Sequence, residues 1–568
     1  MRLQIVSVAL LAAAGVASAE LKERQLCGAF PGRGALEQAK HRDLAERRGA
    51  STPGRALAAS PAVEIEGDLV LVADDGQIVS EANPFDLRER TLVYSPRGPS
   101  TYAFRSEPGG VEPGIGSRIG IGDDVTRSYD LAFEFPFFGE RYRRLFLNSD
   151  GNITFVRGDA ASTERSLERF LTGPPRAALF FADLDPTEVG DVLVANLPDR
   201  FVATWDGVPE WGEDAPNTFQ IELSPDGTLR MRYGFAVNAA SGIAGLSPGG
   251  SSEEVNLVDL GGEPREVEGA MGERFQRGRM IDNVALAQSV YRALPDRYDS
   301  IVAWTNFESD LDDAFAFSLL VHNEVAGIGE EDFDNSRAWG SEGELESFVF
   351  MGNLRRYPRD PRGRVLGAAS RPTTLGLLAH EIGHRWLARA LVRRSGIATD
   401  ALLGRQSSHW SFFLDTDASF LEGNDIVQES ESRFRTVETV ARYSRLDLYL
   451  MGLADASEVE PFFLVTGASP PSGEPVDAES TPRTGVVIDG SRVDVTIDDV
   501  IRALGPREPS ADAAPTSFRH AWVLLSLRSG PPTSADVAQI QDARNAFLAF
   551  FQEQTLGRAQ IDVAIERR

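Results

Sequence analysis

The sequence predicts a multidomain protein in which an all-β sandwich is followed by an α+β domain. Two changes of texture and the length carry this expectation. Residues 62–260 are short alternating segments cut by turn dipeptides, the pattern of a sandwich. From residue 295 onward, helical and strand patterns mix without regular alternation, which is α+β and not a doubly wound sheet. The 568 residues suit two to four domains at ~100–200 residues each.

Residues 1–19 read as a secretory signal peptide. Arg2 is the charged start, Ile5 to Ala17 is the apolar core, and Ala17-Ser18-Ala19 is an A-x-A cleavage site. The apolar run is too short to span a bilayer comfortably, and no later run of 18 apolar residues occurs. The expectation is a secreted soluble protein with no membrane span. Cations are almost all Arg, with Lys only at Lys22 and Lys40, which reads as the coding bias of a GC-rich bacterium. A formal net charge of −28 argues against a nucleic-acid partner, which needs a basic face. One cysteine, Cys27, excludes an internal disulfide. Residues 20–61 are rich in Ala, Arg, Gly and Glu with weak periodicity, and read as a linker or pro-segment.

The segment 62–260 opens on "AVEIEGDLVLVADDG" and continues through strand-like runs about 8–20 residues apart. Asp150-Gly151 and Asp226-Gly227 are hairpin-type turns. Asn152-Ile153-Thr154 matches a glycosylation sequon and reads as a turn. "GIGSRIGIG" (114–122) lacks a strand–helix setting and reads as a loop. The blocks "FEFPFFGERYRRLFLNSDGNITF", "PRAALFFADLDP", "FVATWDGVPEW", "TFQIELSPDGTLRMRYG" and "GIAGLSPGG" follow in order. Together they resemble the nidogen-type extracellular β domain. That resemblance implies a recognition or structural module for an extracellular matrix or cell-surface ligand. Asp183 and Asp185 offer oxygen ligands for Ca2+, although a strand-end turn explains them better.

Residues 261–294 read as a linker and 295–568 as the second domain. "YDSIVAWTNFESD" and "LESFVFMGNL" read as strands. "TTLGLLAHEIGHRWLARALVRRSG", "ARYSRLDLYLMGL", "SFRHAWVLLSLRSG" and residues 537–557 read as helices, and "VVIDGSRVDVTIDDVIRALG" as a hairpin then a helix.

The chemistry lies in "LLAHEIGHRWLARAL" (377–391). Thr373 or Thr374 can cap a helix here, and Gly396 can stop it. His380 and His384 then stand one turn apart, and both rings can reach one zinc ion at ~2.0–2.1 Å. Glu381 lies beside His380, placed to take a proton from zinc-bound water and give it to a leaving amine. Gly383 permits close packing. Six histidines in 568 residues make a chance H-E-x-x-H rare. The motif resembles zincin metallopeptidases, a resemblance carried by His380, Glu381 and His384. It implies a zinc-dependent hydrolase acting on a protein or peptide substrate. The metzincin extension is excluded, because Leu387 and Ala390 hold the positions of its Gly and His. A thermolysin-type E-x-x-x-D is also missing between His384 and Gly467.

The third ligand must therefore come from later in the chain. His409 is the first choice, because three of the six histidines fall within 380–409 and the chain can return that far. Asp447 is the main rival, followed by Glu422, Glu429, Glu431 and His520. Tyr443 or Tyr449 could stabilise an oxyanion and Met451 could floor the site, although an ordinary amphipathic helix explains them slightly better. Asp415, Asp417, Asn424 and Asp425 could bind Ca2+, or form a solvated acidic loop. The expected function is a secreted zinc endopeptidase. Two alternatives stay open: an extracellular adhesion or structural protein with a structural zinc helix, and a zinc hydrolase of a non-peptide amide.

Overall fold

The fold is strand-rich with several sheets. The computed structural model describes residues 25–27 and 62–566, apart from 75, 77, 161–164, 166, 188, 212, 251–255, 312–313, 369, 395, 470 and 472–475. The signal-peptide reading and the 20–61 segment lie outside the described residues, except for the short strand Gln25–Cys27.

Two sheets form the β domain. The seven-stranded one runs in the order Asn256–Leu257, Met271–Gln276, Ser241–Ser247, Arg176–Phe181, Asn152–Thr154, Glu140–Asn148 and Thr126–Phe137. The eight-stranded one centres on Arg90–Pro96, Leu229–Tyr233, Pro216–Leu223 and Phe201–Pro209. Alternate residues meet in one core, with Leu145, Leu147, Ile153 and Leu179 from the first sheet and Leu92, Tyr94, Phe219, Ile221 and Met231 from the second. The turn at Asp150-Gly151 needs its glycine. Gly151 has φ +65°, and a Cβ there would lie 2.3 Å from the Phe180 carbonyl oxygen. Asn152, in the sequon, is buried and bonded to Asn148, the Asp150 carbonyl and Arg176, so its side chain is structural.

The second unit is built on another sheet, ordered Gln25–Cys27, Ala314–Leu320, Ser347–Asn353, Ser300–Thr305, Ser517–Leu527, Leu69–Asp74 and Ala62–Glu66. Its central four strands are mutually parallel. Val302, Trp304, Val349, Met351, Trp522 and Leu524 face the helices Thr374–Gly383 and Ser534–Gln554. Ile301, Ala303, Phe348, Phe350, Ala521 and Val523 face the opposite side, against the helix Asn283–Ala293. The sheet is thus covered on both faces, as parallel strands require. A four-stranded sheet (Asn424–Ser430, Arg433–Thr439, Val487–Val495, Phe462–Ser469) adds a small separate core.

The expected boundaries shift. The strands Ala62–Glu66 and Leu69–Asp74, expected to open the sandwich, pair instead at the edge of the second unit's sheet. The expected linker 261–294 holds two sandwich strands, Arg265–Glu268 and Met271–Gln276, and then the helix Asn283–Ala293. The sandwich is therefore inserted between two pieces of the second unit. Local patterning cannot show this, because a strand's partners are chosen by distant chain. "SFRHAWVLLSLRSG" is the strand Ser517–Leu527, not a helix. An apolar run buried on both faces has no distinguishing period. "VVIDGSRVDV" is one strand, Val487–Val495, paired on both sides, rather than a hairpin.

Candidate metal centre

The helix carrying the H-E-x-x-H motif starts where expected. Thr373 Oγ1 accepts the Gly376 N–H at 3.0 Å, and the helix runs Thr374–Gly383. It ends earlier than its periodicity predicts. His384 is the C-cap, Ala388 adopts φ +60°, and Val392–Arg394 pairs with Ile397–Thr399. Trp386, Leu387, Ala388, Ala390 and Val392 are all buried, so they fill the core from a bent chain and not from one helical stripe.

The cap position keeps His384 within a turn of His380, and their Nε2 atoms lie 3.2 Å apart. His409 returns to this point from a short 3-10 turn, Arg405–Ser407. Its ring centroid is 5.2 Å from that of His380 and 5.1 Å from that of His384. One nitrogen from each ring falls within 4.8 Å of the others. Among the described residues, one further group converges this tightly, Asp123 with Asp124 and Asp183.

Two backbone carbonyls orient the rings. His380 Nδ1 is 2.7 Å from the Phe420 carbonyl oxygen, and His409 Nδ1 is 2.8 Å from that of Arg405. A carbonyl only accepts, so each Nδ1 carries the proton and each Nε2 keeps its lone pair. Burial, against the pull of the Glu422 carboxylate, takes His380 down to about 4. Burial and neighbouring cationic groups hold His384 and His409 well below the ordinary range. Three neutral imidazoles, two of them with the proton held at Nδ1, are a donor set that fits zinc. Gly383 allows close packing, since a Cβ there would press on Leu421 Cδ2 at 2.8 Å and make that side chain shift, beside the carbonyl that orients His380.

Glu381 is fully buried next to His380. Its negative charge reaches Tyr357, whose phenol is pushed well up by burial and then by Glu381.

The rivals to His409 are placed elsewhere. Asp447 serves a capping box at the helix Arg445–Leu450. Its Oδ2 accepts the Ser444 N–H at 2.8 Å and its Oδ1 the Trp410 indole N–H at 3.0 Å. Asp447 thus anchors the neighbour of His409. Glu429 and Glu431 are exposed, and Glu429 pairs with Arg435. His520 lies in the central strand opposite Ser300. Glu422 comes nearest, 3.9 Å from His409 Nε2, but is engaged by Arg405.

The tyrosines are committed to backbone. Tyr443 donates to the Ala379 carbonyl at 2.6 Å, and the Tyr449 hydroxyl accepts the Arg507 N–H at 3.1 Å. The Tyr443 proton is thereby taken up, whereas Tyr449 uses only an acceptor position in its contact. Met451 is buried in the same core, and its carbonyl accepts from Arg507. Asp415 accepts the Ile426 N–H, and the Asn424 amide donates to the Phe412 carbonyl, so that loop is stitched by its own side chains. Asp415, Asp417 and Asp425 do not form a converging group. Asp185 accepts from Thr187 as a turn residue, and Asp183 joins the Asp123 cluster.

Arg405 is the residue that sequence reasoning missed. Its Nε and an Nη donate to Glu422 at 2.8 and 2.5 Å, and an Nη lies 3.1 Å from His409 Nε2. A lone Arg four residues before a His carries no pattern that would find it.

The comparison with known families bears on the sandwich. A family model described as "NIDO related" matches residues 99–267. No curated protein and no solved structure matches the chain. The matched span covers strands of both sheets that share one core, from Thr101–Pro108 to Arg265–Glu268. Residues 99–267 are a NIDO-related domain.

Proposed function

We propose that the protein is an exported zinc-dependent endopeptidase of zincin type, with the NIDO-related sandwich as its extracellular recognition module. The observation that carries the reading is the convergence of His380, His384 and His409, with Glu381 between the first two in sequence. A bound zinc ion supplies Lewis acidity to water and to a carbonyl oxygen. The chain's own residues do the rest. His380 and His409 present unprotonated Nε2 atoms because carbonyls hold the protons at Nδ1. Glu381 accepts a proton from the attacking water and returns it to the leaving amine nitrogen. The buried surroundings strengthen each of these charge interactions.

The test is the variant Glu381→Gln. It is expected to keep zinc at the wild-type ratio while hydrolysis of casein falls by about 10²–10⁴-fold. Wild-type cleavage by this variant would refute the mechanism.

A second reading rests on one observation. His380, Glu381 and His409 are 0% exposed and His384 is 4% exposed. So enclosed a centre suits a structural zinc in an adhesion protein, with the sandwich carrying the function. Purified protein that holds zinc with a fourth protein ligand and cleaves nothing would establish that reading. A zinc hydrolase of a non-peptide amide would instead cleave a small amide and spare casein.

A further inference from the structure

Arg405 is 7% exposed and Glu422 is 2% exposed, so both charges are withdrawn from water next to the triad. Such a pair is costly unless it is well made. Here it is made side-on, with two donors on two carboxylate oxygens. Arg405 also meets His409 twice. Its carbonyl accepts from Nδ1, and its guanidinium donates to Nε2 at 3.1 Å. The carbonyl contact selects the tautomer that a metal ligand needs, while the guanidinium uses the lone pair that a metal would take.

The local backbone agrees that this arrangement is held in place. Gln406, Ser407 and Glu422 have φ of +58°, +46° and +59°, a region that non-glycine residues occupy at a cost. All three flank the ion pair in sequence or belong to it.

We propose that Arg405 competes with metal for His409 Nε2, and that Glu422 holds Arg405 and offsets its charge, so that the pair sets the metal affinity of the triad. The inference rests on the zinc reading above. Metal ligation at His409 requires the guanidinium to release Nε2 while it remains on Glu422. Removing Arg405 removes a competitor and a like charge. Neutralising Glu422 leaves a buried cation facing the metal with nothing to offset it.

The two substitutions are therefore expected to act in opposite directions, which general damage to the site would not produce. Zinc affinity is read on the full-length protein by chelator competition. Arg405→Met is expected to bind zinc about tenfold or more tightly than wild type, and Glu422→Gln about tenfold or more weakly. Unchanged or weaker binding in Arg405→Met, or unchanged or tighter binding in Glu422→Gln, overturns the proposal. Should either single variant fail to fold, the neutral pair Arg405→Met with Glu422→Leu is measured, and it must bind more tightly than wild type. If wild type binds zinc and only the expected shifts are missing, this inference alone fails. If wild type binds no zinc, the inference and the functional reading fall together.

Discussion

The protein gathers ligand-type side chains in two places, and they are built in opposite ways. In the second unit three imidazoles meet, each neutral, with carbonyls fixing the tautomers of His380 and His409. In the NIDO-related sandwich, Asp123, Asp124 and Asp183 meet as acids, and a protein cation already stands among their neighbours. Arg165 bonds Asp150 at 2.8 Å, Asp124 at 2.7 Å and Asp183 at 2.8 Å, and its side chain is 5% exposed. The carboxylates still outnumber it. Burial first, and then its acidic neighbours, raise Asp123 to about 7, while burial raises Asp150 to about 6 against the pull of Arg165. Convergence alone therefore does not define a metal centre. The charge balance around the converging atoms decides whether a cation is needed. At the triad the nearby cation, Arg405, is held by Glu422. In the sandwich Arg165 takes part of the role an ion would otherwise play.

Three substitutions probe this contrast, in order of decreasing effect. His409→Ala is expected to lower zinc retention by more than about 100-fold, because two ligands four residues apart hold zinc poorly. Full zinc content by metal analysis in that variant would remove His409 from the centre and weaken the contrast at its stronger end. Arg165→Met leaves the buried Asp150 and the partly buried Asp124 and Asp183 without their cation and is expected to destabilise the sandwich by about 3 kcal/mol. Denaturant titration should show this loss with zinc retention unchanged. An unmoved transition would mean that Arg165 does not hold the acidic cluster together.

Asp123→Asn is the mildest and depends on pH. The folded-state pKa of Asp123 is raised from 3.8 to about 7, so its charge costs the folded state as pH rises through that window. Below 3.8 the acid is protonated in both states, and the substitution should change nothing. At pH 8 the variant should be more stable by about 1 kcal/mol, a figure kept small because the side chain is partly open to solvent. Thermal unfolding at the two pH values measures the difference. If calcium instead stabilises wild type and this variant abolishes the effect, the acidic cluster is a cation site and the contrast is reversed.

Much of the architecture was legible from local pattern. Alternating strands and Asp-Gly turns exposed the sandwich, because a strand with one buried face writes a period of two into its sequence. Thr373 announced the start of the motif helix, because capping is settled within four residues. The failures share one cause. Leu69–Asp74 and Ser517–Leu527 are neighbours in one sheet although more than four hundred residues separate them, and no window of sequence contains both. Trp386 to Val392 kept a helical period, yet the chain bends there because the core receives it from several sides.

The candidate centre divides in the same way. His380, Glu381 and His384 were fixed relative to one another by the sequence alone, since helix geometry over five residues depends on little else. The arrival of His409 beside them, the diversion of Asp447 to a cap and an indole, and the Arg405–Glu422 pair were decided by the tertiary structure. These are contacts between segments that loops bring together. Which of several reachable side chains occupies a buried position depends on how every neighbour packs and satisfies its own hydrogen bonds, and that balance has no local signature.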